Sequence, residues 1–69
     1  MNRLHINGVE KQFPDGLPET LSELLKKLNL DSATVVAEID GQIIERKNFD
    51  RTHLKNSQNI ELVRFVGGG

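Results

Sequence analysis

The sequence of 69 residues predicts an α+β domain in which one mixed sheet of four to five strands packs on a single helix. Three observations lead to this prediction: two tight-turn signals ending in glycine, one amphipathic stretch with a helix cap, and a final apolar run. The elements follow one another as β-β-α-β-β, an irregular stretch, and β. This length allows one small domain with a modest core.

The chain opens with a predicted β-hairpin. Residues 3–7 alternate between polar and apolar side chains, which places Leu4 and Ile6 on one face of a strand. Asn7 and Gly8 follow, and this pair favours a type I′ turn because both central positions need a positive φ. Residues 9–13 alternate again, so they are predicted to form the returning strand.

A helix follows the hairpin. Thr20 and Glu23 have the spacing of a capping box, and Asn29 is the expected end of the helix. We expect its apolar stripe to pack on the sheet of the same chain, because a domain this small has no other large apolar surface to cover that sheet. The stripe consists of Leu21, Leu24, Leu25 and Leu28.

The second half of the chain is predicted to be mostly β-structure. Residues 34–39 are rich in β-branched side chains, and Asp40-Gly41 is a second turn signal before a short strand at residues 42–45. The last strand is predicted over residues 60–66. This order is that of the β-grasp fold, in which the first and last strands are parallel neighbours at the centre of the sheet.

The stretch between the last two predicted strands has no clean period. Phe49 and Leu54 are expected to point inward. The charged residues of this stretch, Arg46 among them, are mixed in sign and are expected to lie on a solvated surface.

The last predicted strand carries apolar residues on both faces. Ile60 and Leu62 point one way, whereas Val63 and Phe65 point the other way, and Val36 lies on that same outer face in its own strand. A sheet covered on one side favours polar residues on the other side. The sequence leaves two interpretations open: scattered exposed apolar residues, which are ordinary, or a patch that docks a partner.

The chain ends in Gly67, Gly68 and Gly69, which divides it into a β-grasp domain at residues 1–66 and a flexible tail at residues 67–69. Three extended residues reach at most about 10 Å. Such a tail is a slender probe that can enter a narrow channel and offer the carboxylate of Gly69 to chemistry. The alternatives are an incidental disordered terminus and a linker remnant.

Composition excludes several classes of function. The formal net charge is −1, which gives no electrostatic argument for binding nucleic acid or an acidic membrane surface. The chain has no Cys, and its two His are far apart, so no familiar zinc spacing or thiol nucleophile is present. No secretory signal or membrane span is visible, so a cytoplasmic protein is expected. The sequence shows no nucleophile–base pair that would indicate an enzyme.

Taken in order and spacing, several short segments resemble those of the ubiquitin-like sulfur carriers, and most closely the thiamine-biosynthesis sulfur carriers of the ThiS family. The similarity runs over nearly the whole length. The segments that carry it are Ile6-Asn7-Gly8, residues 20–25, residues 36–41, Ile44, Arg46, Phe49, residues 60–63 and Gly68-Gly69.

This resemblance implies a carrier rather than an enzyme. A ThiF-like activating enzyme would adenylate Gly69 with ATP and magnesium, so this chain would bind no cofactor of its own. Sulfur from a cysteine desulfurase or a rhodanese-like donor would then give a thiocarboxylate, which a ThiG-like thiazole synthase would consume. Two alternatives remain open: a carrier like the small subunit of molybdopterin synthase, and a non-covalent ubiquitin-like interaction module.

Overall fold

A computed structural model describes residues 2–65 of the chain. Val66, the last residue of the predicted final strand, and the predicted tail at residues 67–69 lie outside the described residues. The described part contains five strands, one α-helix and two 3₁₀-helices: β1 Arg3–Ile6, β2 Val9–Gln12, α1 Leu21–Lys27, η1 Ser32–Thr34, β3 Val35–Ile39, β4 Gln42–Ile44, η2 Arg46–Arg51 and β5 Asn59–Arg64.

The five strands form one mixed sheet in the order β2-β1-β5-β3-β4. The central pair, β1 and β5, is parallel, and the other three pairs are antiparallel. This arrangement confirms the predicted β-grasp fold. A parallel pair needs a long connection, and the helix lies within the connection between these two strands.

Both predicted tight turns are present. Asn7 and Gly8 have φ values of 51° and 81°, and Asp40 and Gly41 have values of 49° and 85°. Positive φ at two successive residues is the geometry of a type I′ turn, whose twist matches that of the flanking strands. The two hairpins, β1–β2 and β3–β4, therefore follow from these two dipeptides.

The helix begins at the predicted cap. The Thr20 side chain accepts a hydrogen bond from the backbone N–H of Glu23 at 3.3 Å. The returning bond expected of a complete capping box, in which the Thr20 N–H donates to the Glu23 carboxylate, is not formed in the described structure. Thr20 instead forms a β-bridge with His53, which ties the start of the helix to the segment after η2.

The helix ends in a Schellman motif at the predicted residue. Asn29 has a φ of 57°, and its N–H donates to the Lys26 carbonyl at 3.1 Å. The N–H of Leu30 donates to the Leu25 carbonyl at 2.9 Å. These two bonds satisfy carbonyl groups that the helix would otherwise leave without partners.

The core lies between the helix and the inner face of the sheet, which is the face that packs on α1. The predicted leucine stripe is on the inside, and both Phe49 and Leu54 point inward as expected. The fully or nearly buried apolar residues are Leu4, Phe13, Leu21, Leu24, Leu25, Val35, Ala37, Ile39, Phe49, Ile60 and Leu62.

One strand boundary differs from the prediction in a way that matters for the site. Strand β3 starts at Val35 rather than at residue 34, because Ser32–Thr34 forms the 3₁₀-helix η1. The Asp31 side chain caps η1 by accepting from the N–H of Ala33 at 2.9 Å. A capped turn thus occupies the position just before the strand that pairs with the end of β5.

Candidate functional site

The last strand presents an apolar surface on the outer face of the sheet, which is the face opposite the helix. Val63 and Phe65 are 59% and 56% exposed, whereas Ile60 and Leu62 of the same strand are buried. Val36 of β3 lies directly opposite Val63 and is half-buried. We call Val36, Val63 and Phe65 the outer apolar patch, and the structure brings these predicted residues together at the end of β5.

The backbone at the end of this patch is held by a hydrogen bond. The N–H of Phe65 donates to the carbonyl of Thr34 at 2.7 Å. This bond continues the antiparallel ladder in which Val36 opposes Val63 and Val35 opposes Arg64. The backbone of Phe65 is therefore held by this bond while its side chain remains exposed.

Two carboxylates border the outer apolar patch. Glu38 and Glu61 are direct cross-strand neighbours on the outer face, two residue pairs further from the chain terminus than Val36 and Val63. Within residues 2–65 neither takes part in an ion pair. Like charges directly opposite each other in a sheet are destabilising, so this pair is not there for the stability of the fold.

On the β1 side, the side chain of Asn7 holds the end of β5. Its carbonyl oxygen accepts from the N–H of Leu62 at 2.7 Å, and its amide nitrogen donates to the Leu62 carbonyl at 3.2 Å. The Asn7 backbone N–H also donates to the Ile60 carbonyl at 2.8 Å. Strand β1 ends at Ile6, so the Asn7 side chain replaces the next step of the parallel ladder.

On the β3 side, Arg46 lies on the exposed surface, as predicted, and its side chain also makes two hydrogen bonds within the chain. The guanidinium of Arg46 donates from Nε to the Ser32 carbonyl at 3.2 Å and from Nη2 to the Ala33 carbonyl at 3.0 Å. No local pattern in the sequence signals these contacts, because 13 and 14 residues separate the partners.

Two grooves on the described surface lie away from the outer apolar patch. Among residues 2–65, no group of three or more potential metal-ligating side chains is gathered in one place. Two surface grooves of about 320 and 420 Å³ are lined by residues near the two edge strands, and neither is lined by a residue of the outer apolar patch. No helix in this part of the chain has the length and hydropathy needed to cross a membrane.

Comparisons with known proteins agree with this geometry. The model of the ThiS family matches residues 4–69. The sulfur carrier protein ThiS of Bacillus subtilis is 30% identical over 66 residues, which is 96% of this chain and 98% of that protein. A crystal structure of the thiamine biosynthesis protein ThiS from Geobacter metallireducens superimposes with a TM-score of 0.83 at 31% identity, covering 97% of this chain and 99% of that one.

A further relative is much longer. A thiazole synthase of Paramagnetospirillum magneticum is 31% identical over 67 residues, which is 97% of this chain. The chain spans only 20% of the length of that protein.

Proposed function

The chain belongs to the ThiS family of thiamine-biosynthesis sulfur carriers, and from this premise we propose that it carries sulfur on the carboxyl group of Gly69. One observation carries the proposal: the match to the family model extends through residue 69, so it includes the three glycines. The body at residues 1–66 then serves to present a tail at residues 67–69.

The chemistry begins with activation, because a carboxylate is a poor acyl donor. A terminal carboxylate is ionised near neutral pH, and its oxygen is a poor leaving group. In the proposed first step, an oxygen of the Gly69 carboxylate attacks the α-phosphate of ATP, and pyrophosphate leaves. The acyl adenylate that forms has AMP as its leaving group, and magnesium and ATP are bound by the activating enzyme.

Sulfur enters in the second step. The terminal sulfur of a persulfide on a cysteine desulfurase or a rhodanese-like donor attacks the Gly69 carbonyl carbon, and AMP leaves. A thiol then attacks the donor-cysteine sulfur of the resulting acyl disulfide, so that the Gly69 thiocarboxylate leaves and the donor cysteine is held in a mixed disulfide. A second thiol reduces that mixed disulfide and frees the donor cysteine. The chain contains no Cys, so its own side chains hold no transferable sulfur. We assign these steps to the cytoplasm, where thiols are kept reduced.

Gly67 and Gly68 are proposed to thread a channel of the activating enzyme that excludes side chains. We therefore expect Gly68→Ala to slow adenylation while the unfolding temperature stays unchanged. The measurement is ATP–pyrophosphate exchange against carrier concentration, with thermal unfolding of the same samples. Normal exchange by this variant would contradict the channel.

The outer apolar patch is proposed as the docking surface for the activating enzyme, which is of the ThiF-like class. Exposed apolar side chains next to the tail bury area on binding without disturbing the core. The neighbouring Glu38 and Glu61 favour a partner surface with basic groups around its apolar centre.

Thiazole synthase is the proposed consumer of the thiocarboxylate. In the Paramagnetospirillum magneticum protein of that name, a stretch like this chain occupies one fifth of a single polypeptide. Joining two segments in one chain gives them a high effective concentration, which supports the view that they work together.

The deciding experiment is incubation of the chain with a ThiF-like enzyme, magnesium ATP and a persulfide donor, followed by mass spectrometry of the intact protein. We expect a mass increase equal to the replacement of one oxygen by one sulfur, located at Gly69. Deletion of Gly69 provides the control and should abolish the change. An unmodified wild-type chain that still binds the enzyme would instead indicate a non-covalent interaction module.

A further inference from the structure

The two hydrogen bonds of Arg46 hold a short helix that is otherwise open at one end. A 3₁₀-helix leaves its last carbonyl groups without partners inside the helix. Arg46 donates to two of these carbonyls, those of Ser32 and Ala33, at 3.2 and 3.0 Å. The planar guanidinium offers several donors in a fixed fork, which suits two adjacent acceptors.

The other end of η1 is capped as well. The Asp31 side chain accepts from the N–H of Ala33, and the Thr34 N–H and hydroxyl both donate to the Asp31 carbonyl at 2.9 Å. With Arg46 on its carbonyls, the turn is therefore held at both ends. Arg46 supplies a side-chain contact to this turn from another part of the chain.

This turn is also the anchor for the end of the last strand. The carbonyl of Thr34, the last residue of η1, accepts the hydrogen bond from the Phe65 N–H. The β1 side is held three residues earlier, where Asn7 bonds Leu62. The Thr34–Phe65 hydrogen bond, which we call the rung, is thus the last one described before residues 66–69.

We propose that Arg46 is a positioning residue for acyl transfer at Gly69, a role that rests on the proposed function. It fixes η1, η1 fixes the Phe65 backbone, and the Phe65 backbone is the last described point at which the chain is held before Gly69. When this rung opens, the chain is next held at Val63, and the number of residues that a partner must order increases. Each added residue has an entropic cost that weakens productive binding.

The first test measures the rung directly by amide hydrogen exchange. In Arg46→Ala, we expect the Phe65 amide to exchange about tenfold faster, while amides of the buried strand residues Ile39 and Leu62 keep their wild-type rates. Arg46→Lys retains the charge but loses the fork, so an intermediate rate is expected. Lys47→Ala is the matched control, because it removes a cation from the next residue, whose side chain is 79% exposed.

The second test measures loading by a ThiF-like enzyme at a temperature where every variant is folded. We expect kcat/KM for adenylation to fall by about tenfold in Arg46→Ala, less in Arg46→Lys, and not at all in Lys47→Ala. If Arg46 had only a structural role, Arg46→Ala would lower the unfolding temperature, but kcat/KM would be the same for all variants measured in the folded state.

Three results would overturn the inference. Unchanged exchange at Phe65 in Arg46→Ala would show that Arg46 does not hold the rung. Faster exchange with unchanged kcat/KM would show that the rung does not position the tail. A wild-type chain that is never adenylated would remove the proposed function itself, and that outcome is distinguishable because it needs no variant.

Discussion

The two faces of β5 differ in burial although they alternate along the same six residues. On the inner face, Ile60 and Leu62 are 1% and 8% exposed and complete the core under the helix. On the outer face, Glu61 and Val63 are exposed, and Phe65 continues that row. A small domain with one helix covers only one side of its sheet, so apolar residues on the other side stay at least partly exposed and add little to the core.

The largest expected effect lies on the inner face. Ile60→Ala removes a fully buried side chain from the central strand, and we expect the free energy of unfolding to fall by about 2–5 kcal/mol. Chemical denaturation followed by circular dichroism measures this change. Val63→Ala is the matched control on the outer face of the same strand and is expected to change stability by at most about 0.5 kcal/mol. Equal losses in the two variants would contradict the division between faces.

The next effect tests how the edge of β5 is closed. Asn7→Gly keeps the positive φ that the turn requires but removes the side chain that bonds the N–H and carbonyl of Leu62. Leaving these partly buried groups without partners is expected to cost about 1–3 kcal/mol. Urea denaturation measures the loss of stability, and the hydrogen-exchange rate of the Leu62 amide should increase. A variant as stable as the wild type would show that water replaces the side chain fully.

The sequence predicted those features that depend on local chemistry. The turn dipeptides Asn7-Gly8 and Asp40-Gly41, the cap at Thr20 and the end of the helix at Asn29 each act within a few residues, and all are found where expected. The period-2 pattern of β5 also indicated which residues would be buried. These signals settled the order of elements and hence the fold.

The contacts that close the end of β5 were beyond sequence reasoning. Asn7 was recognised as a turn residue, but its bonds to Leu62 span 55 positions and depend on strand pairing. The mixed charges around Arg46 predict a solvated surface, and Arg46 is exposed, but only the folded chain brings its guanidinium to the carbonyls of Ser32 and Ala33. Polar contacts between distant segments have no periodicity, so no pattern along the chain reveals them.

A third change tests the outer apolar patch as a docking surface. Val63→Ser is expected to weaken binding to the activating enzyme by about tenfold, as loss of an apolar contact near the centre of an interface does, with little effect on stability. Val9→Ser is the matched control, because Val9 is 66% exposed and lies on the helix side of edge strand β2. Titration calorimetry against the activating enzyme measures both affinities. Equal affinities would place the docking surface elsewhere.

The smallest effect concerns the carboxylates beside the patch. Glu61→Gln removes one member of the like-charge pair with Glu38, so the free energy of unfolding is expected to rise by about 0.2–1 kcal/mol. The gain should shrink in high salt, because added ions screen the repulsion between exposed charges. Denaturation at low and high salt measures both effects. If Glu61→Gln also binds the activating enzyme more weakly, the Glu61 carboxylate contributes to docking at the expense of stability. If its affinity is unchanged, the Glu38–Glu61 pair has no part in docking.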